Sequence, residues 1–271
     1  SERLLPQALT NVGYTTAIIG KWHLGHADTQ YWPRQRGFNY QYGAMIGELD
    51  AAYADLSTDA GVRVIVLEGA GKAFSAGADL QWMQRASAAS VEWNEADARR
   101  FAGMLYRIHT APQPTIARVH GVALGGGVGL TCACDIAIAS DDAKFAVSEA
   151  KFGILPSVIG PYLTNAVGKR QALRLALTTQ RIAASEALAI GMVQQVVAGD
   201  ALDATVDATV AELLNGGPKA LAEIKALYAQ FNVGPVTPEV RELTARTIAR
   251  VRGTDEAREG FAAFLAKRPA P

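Results

Sequence analysis

Three short stretches hold the residues whose types and spacing could do chemistry. Residues 123–130 read ALGGGVGL, with Gly125, Gly126, Gly127 and Gly129 at the mouth of a helix that continues into TCACDIAIAS. Residues 73–79, AFSAGAD, carry small side chains from the end of a strand to the start of another helix. Residues 148–151, SEAK, place Glu149 in a turn that follows a strand. Glycines before a helix expose N–H groups at the positive end of its dipole, so an anion is the natural ligand. Phosphate fits the details poorly. GAGKAFS and GPYLTNAVGKR have the wrong spacing for a Walker loop, and GGGVG falls mid-chain without an acidic residue placed for a ribose. Two strand ends that each offer a bare N–H suit an oxyanion hole, which stabilises charge building on a carbonyl oxygen. The alternative is a pair of tight turns serving close helix packing. Glu149 by itself reads more often as a solvated turn residue.

The elements that must position these residues follow an α/β pattern. ELDAAYADLSTD reads as a helix, Val62 to Leu67 (VRVIVL) as a buried parallel strand, and AFSAGADLQWM as a loop entering a helix. Pro112 and Pro114 punctuate the chain before a strand near Ile116, and Ile136 to Ala139 supplies another. After Pro156 the pattern is helical: PYLTNAVGKRQALRLALTT, ASEALAIG, 201–214, PKALAEIKALYAQF and a last helix from about Pro238 to Lys267. Residues 1–45 differ, being rich in aromatics and poor in βαβ pattern, which implies a boundary near Gly43 to Gly47 and predicts units at 1–45, 46–200 and 201–271.

Bulk properties narrow the partners. The chain has 271 residues, 49% of them hydrophobic, enough for a full core. Its 26 basic and 26 acidic residues balance, so no broad field draws it to nucleic acid or an anionic membrane. No apolar run reaches the roughly 18 to 20 residues a span requires, and SERLLPQALT has no signal-peptide pattern. Cys132 and Cys134 sit two apart on a helix, poorly placed to pair, and no metal-ligand spacing surrounds them. Buried packing in a reducing cytoplasm is the expectation.

VRVIVLEGAGKAFSAGADLQWM, followed by PTIARVHGVALGGGVGLTCACDIAIASDDAKFAVSEAKFGILPSVIGPYL and the C-terminal AREGFAAFLAKRPAP, resembles the enoyl-CoA hydratase/isomerase (crotonase) superfamily over about residues 46–271. The resemblance implies an α/β fold, a crotonase-like spiral of βαβ units with C-terminal oligomerisation helices, assembled as a homotrimer or dimer of trimers. It implies an acyl-CoA thioester as substrate, with coenzyme A entering as part of it and no separate cofactor or metal. The N–H groups of Ala78 and Gly126 would form the oxyanion hole. Ala76, Asp79, Leu80, Phe264 and Lys267 would contact CoA, with Trp82 and Met83 read as core or acyl-pocket residues. Hydratases of this superfamily typically use two glutamates. The second matches Glu149, while the first falls on Gly129, which has no side chain. One glutamate would then move protons at both carbons, or borrow a group from substrate or solvent. GGGVGL with SEAKFGILPSVIGPY resembles the methylglutaconyl-CoA hydratase-like branch of leucine breakdown, whose substrate bears a distal carboxylate. An enoyl-CoA isomerase using one glutamate and an inactive crotonase-fold scaffold are the competing readings. His109 and His120 are read as structural.

Residues 3–50 do not fit that pattern. GYTTAIIGKWHLG resembles a sulfatase signature, with Lys21 and His23 at its sulfate-contacting positions, but no Cys or Ser followed by x-Pro-x-Arg supplies a nucleophile. The chain therefore reads as a chimera that lacks the superfamily's CoA-clamping hairpin, which would leave a sheet edge open.

Overall fold

The computed structural model describes residues 17–19, 40–42, 46–78, 80–231 and 234–268. Lys21, His23 and Asp79 lie outside the described residues. Two short strands near the N-terminus, β1 (Ala17–Ile19) and β2 (Tyr40–Tyr42), pair in parallel. The chain then enters helix α1 (Ile46–Thr58), and from there two small sheets are built turn by turn.

The larger sheet holds β3 (Ile65–Glu68), β4 (Thr115–Val119), β6 (Ile136–Ser140) and β9 (Gln195–Val197) in the order β3-β4-β6-β9, all parallel. The smaller one holds β5 (Val122–Leu124), β7 (Lys144–Ala146) and β8 (Ile182–Ala183), with β5 and β7 parallel. β4 is followed at once by β5, and β6 by β7, so each winding of the chain gives one strand to each sheet. That alternation is the spiral the resemblance implies. The corner between β4 and β5 is Gly121, at φ +64°, where a Cβ would stand 2.2 Å from the Lys72 carbonyl oxygen. Among the described residues β3 and β9 are the outer strands of their sheet.

β4 and β6 are buried because helices cover them, and their sequences, TIARV and IAIAS, are correspondingly apolar. On one side α1 packs through Leu49 and Tyr53 against Met104, Leu105 and Ile108 of α3 (Val91–Thr110), which follows α2 (Leu80–Ala88). On the other, α7 (Leu202–Leu214) packs Leu202, Val206 and Val210 against Ile116 and Ile138. The core of α1 and α3 is shared by α4 (Gly126–Ala133), α5 (Gly160–Thr178) and α6 (Ala184–Ala189), through Val128, Leu163 and Ala187.

The C-terminal helices are α8 (Pro218–Tyr228), α9 (Pro238–Arg252) and α10 (Asp255–Leu265). The single helix expected over 238–267 is thus two, because Thr254 caps a new one by accepting the Ala257 N–H. Likewise α5 bends at Gly168, whose φ is +74°, and the first strand begins at Ile65 rather than Val62. Glu256 accepts the N–H groups of Lys219 and Ala220 at the start of α8, and Arg250 donates twice to Glu223. Lys225 then pins α8 to the sheet, donating to Asp135 at 2.6 Å and to the Gln113 carbonyl at 2.9 Å.

Candidate active site

Three chain segments leave the smaller sheet at the same end. β5 ends at Leu124 opposite Ala146, the end of β7. Ser75 bridges to Ala123, donating its N–H to Val122 O at 2.9 Å and accepting that of Leu124 at 3.0 Å. The loops that follow, 76–78, 125–127 and 147–149, therefore converge at carboxyl strand ends, where parallel sheets bind ligands.

The glycines of 125–129 let this happen. Gly125 caps α4 with φ +52°, a conformation costly for other residues, and its N–H donates to Ala146 O at 2.8 Å. A Cβ at Gly127 would come 2.7 Å from Ser75 Cβ, so the two small-residue segments touch only because that atom is absent. A Cβ at Gly126 would meet the Phe101 ring at 3.2 Å. The Gly125 carbonyl accepts the N–H groups of Val128 and Gly129. Those of Gly126 and Ala78 find no acceptor among the described residues. They are orphan donors of a helix mouth and a loop tip, free for an oxygen.

Glu149 opens a short 3-10 turn, Glu149–Phe152. Its Oε1 lies 3.3 Å from where a Cβ of Gly125 would be, which sets the carboxyl beside the mouth of α4. Its Oε2 is buried and has no hydrogen-bond partner. Burial holds its pKa above the ordinary glutamate value, against the opposing pull of its own backbone N–H and that of Ser148. A buried carboxylate oxygen without a donor is unusual in a structural role and suits a group that trades protons.

The other residues singled out along the chain fall differently. Ala76 is exposed on the same loop as Ala78, and Leu80 begins α2. Trp82 is half-buried, its indole N–H donating to Asp97, which also accepts from Arg100. Phe264 is 81% exposed near the end of α10, and Lys267 is exposed two residues beyond it. His109 stacks edge-on against Tyr162, and His120 bridges Arg118 and the Gly71 carbonyl. Burial pushes both Cys132 and Cys134 up to about 12, so both are packed thiols. Ser75, Phe101 and Ile159 shape the glycine helix; Phe101 belongs to no motif, and the motifs that contain Ser75 and Ile159 gave no sign of these contacts. They are legible only as the neighbours that its missing side chains require.

Among the described residues no helix is long and apolar enough to cross a membrane. The family model for enoyl-CoA hydratase/isomerase matches residues 37–271. A crystal structure of an enoyl-CoA hydratase from Shewanella pealeana superposes with TM-score 0.80 at 37% identity, covering 83% of this chain and 84% of that one. Pseudomonas aeruginosa AtuE does so with TM-score 0.79 at 40% identity, covering 83% and 88%. A Thermus thermophilus relative, provisionally named an enoyl-CoA hydratase, is 36% identical over 219 residues, 80% of this chain and 86% of its own. Fold and sequence thus define an α/β protein of the crotonase fold. The chain belongs to the enoyl-CoA hydratase/isomerase family.

Proposed function

We propose that this protein hydrates a 2-enoyl-CoA through one glutamate and an oxyanion hole. The observation that carries the reading is the Glu149 carboxyl, whose Oε1 lies 3.3 Å from the Cβ position of Gly125 at the mouth of α4 and whose Oε2 is buried without a partner. The thioester oxygen accepts from the N–H groups of Ala78 and Gly126. Ionised Glu149 takes a proton from water as the hydroxyl adds to C3, and the displaced electron pair becomes an enolate on that oxygen. The protonated Glu149 then returns its proton to C2, so one water is added and the carboxylate is restored. Its raised pKa brings both forms closer to working pH.

The substrate in this reading is 3-methylglutaconyl-CoA, of leucine breakdown, whose distal carboxylate helps to place the water. Ala76, Asp79, Leu80, Phe264 and Lys267 serve CoA, and residues 3–50 are a sulfatase-like segment in place of the lost clamp. The exposed Phe261, Phe264 and Leu265 of α10 support a homotrimer or a dimer of trimers, and the reading puts this enzyme in the cytoplasm. A second reading, enoyl-CoA isomerisation, is favoured by the same single carboxylate, which would carry one proton along the acyl chain. The test is loss of conjugated-thioester absorbance with 3-methylglutaconyl-CoA and with crotonyl-CoA, for the parent and Glu149→Gln. Turnover that falls about 10²- to 10⁴-fold in the variant supports the hydratase. A folded parent inert on both, yet active on a 3-enoyl-CoA, makes it the isomerase.

A further inference from the structure

Gly129 lies one helical turn after Gly125 on α4, so the two positions share a face. Gly125 is the position against which the Glu149 carboxyl rests. A Cβ built at Gly129 would stand 2.3 Å from Ile159 Cγ2 and 2.9 Å from Ile159 Cβ, with Leu105 Cδ1 at 3.5 Å. Real Cβ atoms do not approach so closely, and the obstacle is not the tip of a flexible chain. The methyl is fixed to a β-branched stem, Ile159 is the cap residue of α5, and it is 1% exposed within the core that contains Leu105 and Leu163. The volume that a side chain at 129 would enter is therefore filled with hydrocarbon from a segment thirty residues away.

We propose that Ile159 is the residue that restricts this site to a single carboxylate, by occupying the place of a second acid-base group on α4. The proposal rests on the reading of Glu149 as the proton-transfer group of a 2-enoyl-CoA reaction. It predicts that positions 129 and 159 are coupled: a glutamate enters at 129 only when the side chain at 159 leaves. Ile159 is in this sense a positioning residue, acting through what it excludes.

The test uses the whole chain with Gly129→Glu, Ile159→Gly and both together, read by Tm and by the pH profile of crotonyl-CoA hydration. Gly129→Glu alone is expected to lower Tm by several degrees, and the double variant to recover most of that loss. The double variant is also expected to exceed Ile159→Gly in kcat by about a hundredfold, the low end for one added acid-base group, with a second ionisation in the profile. Gly129→Ala with and without Ile159→Gly repeats the Tm comparison if the glutamate variant does not fold. An unchanged Tm in Gly129→Glu would overturn the proposal, and so would Tm recovery with no second ionisation. Failure of the underlying hydratase reading has its own signature: the parent is inert on both enoyl thioesters while the coupling in Tm persists.

Discussion

Replacing Glu149 by Gln should cost activity and raise stability. One carboxyl oxygen of Glu149 is buried without a donor, so in the ionised state folding strips water from charge and returns little. Leaving a buried polar atom unsatisfied costs about 1–3 kcal/mol, more for a charged one. The carboxyl as a whole is only half-buried, and solvent on its open side screens that penalty to about 1 kcal/mol. A neutral amide of the same shape avoids the charge part, which corresponds to a gain in Tm of about 2 °C for a chain of this size. The pH dependence has a definite sign. Burial raises the folded-state pKa above the unfolded value, so the native state binds more protons than the unfolded one between the two. The parent's stability therefore declines as pH rises through that window and levels off above the folded pKa. Urea titrations of parent and Glu149→Gln from pH 4 to 8 measure it. The curves should meet at the acid end and separate in favour of the variant toward neutrality. A variant less stable than the parent at pH 8, or a difference that does not change with pH, would refute the claim that Glu149 is held at a cost for function.

Two further predictions concern the frame around the site. Lys225 and Asp135 form an ion pair at 2.6 Å that opens to solvent on the Asp135 side, and Asp135 also accepts the N–H and hydroxyl of Thr115. Asp135→Ala removes the Lys225 ion pair and both Thr115 hydrogen bonds, leaves Lys225 with the Gln113 carbonyl, and is expected to cost about 1–3 kcal/mol by chemical denaturation. Lys225→Met should cost distinctly less, because Thr115 still serves the carboxylate. With thiol pKa values of about 12, Cys132 and Cys134 should resist iodoacetamide at pH 8 in the native protein and react in denaturant, as mass spectrometry would record.

Much of this protein is legible along the chain because its signals are local. Strands β3, β4 and β6 are apolar runs bounded by turn residues, and α8 begins with proline after glycine, so period and punctuation locate them within a few residues. The two glycine-bearing loops and the carboxylate of Glu149 stand in the sequence as chemistry without geometry. The smaller sheet was not legible: β5, β7 and β8 have two or three residues each, too short for any periodicity, and they exist because the spiral turns a corner after β4 and after β6. Nor did the break at Thr254 or the bend at Gly168 interrupt the apolar pattern that predicts continuous helix. Sequence alone determined that two bare strand ends and one glutamate were available, since backbone freedom and ionisable groups belong to residue types. Only the tertiary structure decided that they meet and that Ile159 fills the space over Gly129. Both depend on parallel strand register and on packing between residues more than twenty positions apart, where excluded volume acts through space and leaves no periodic trace in the chain.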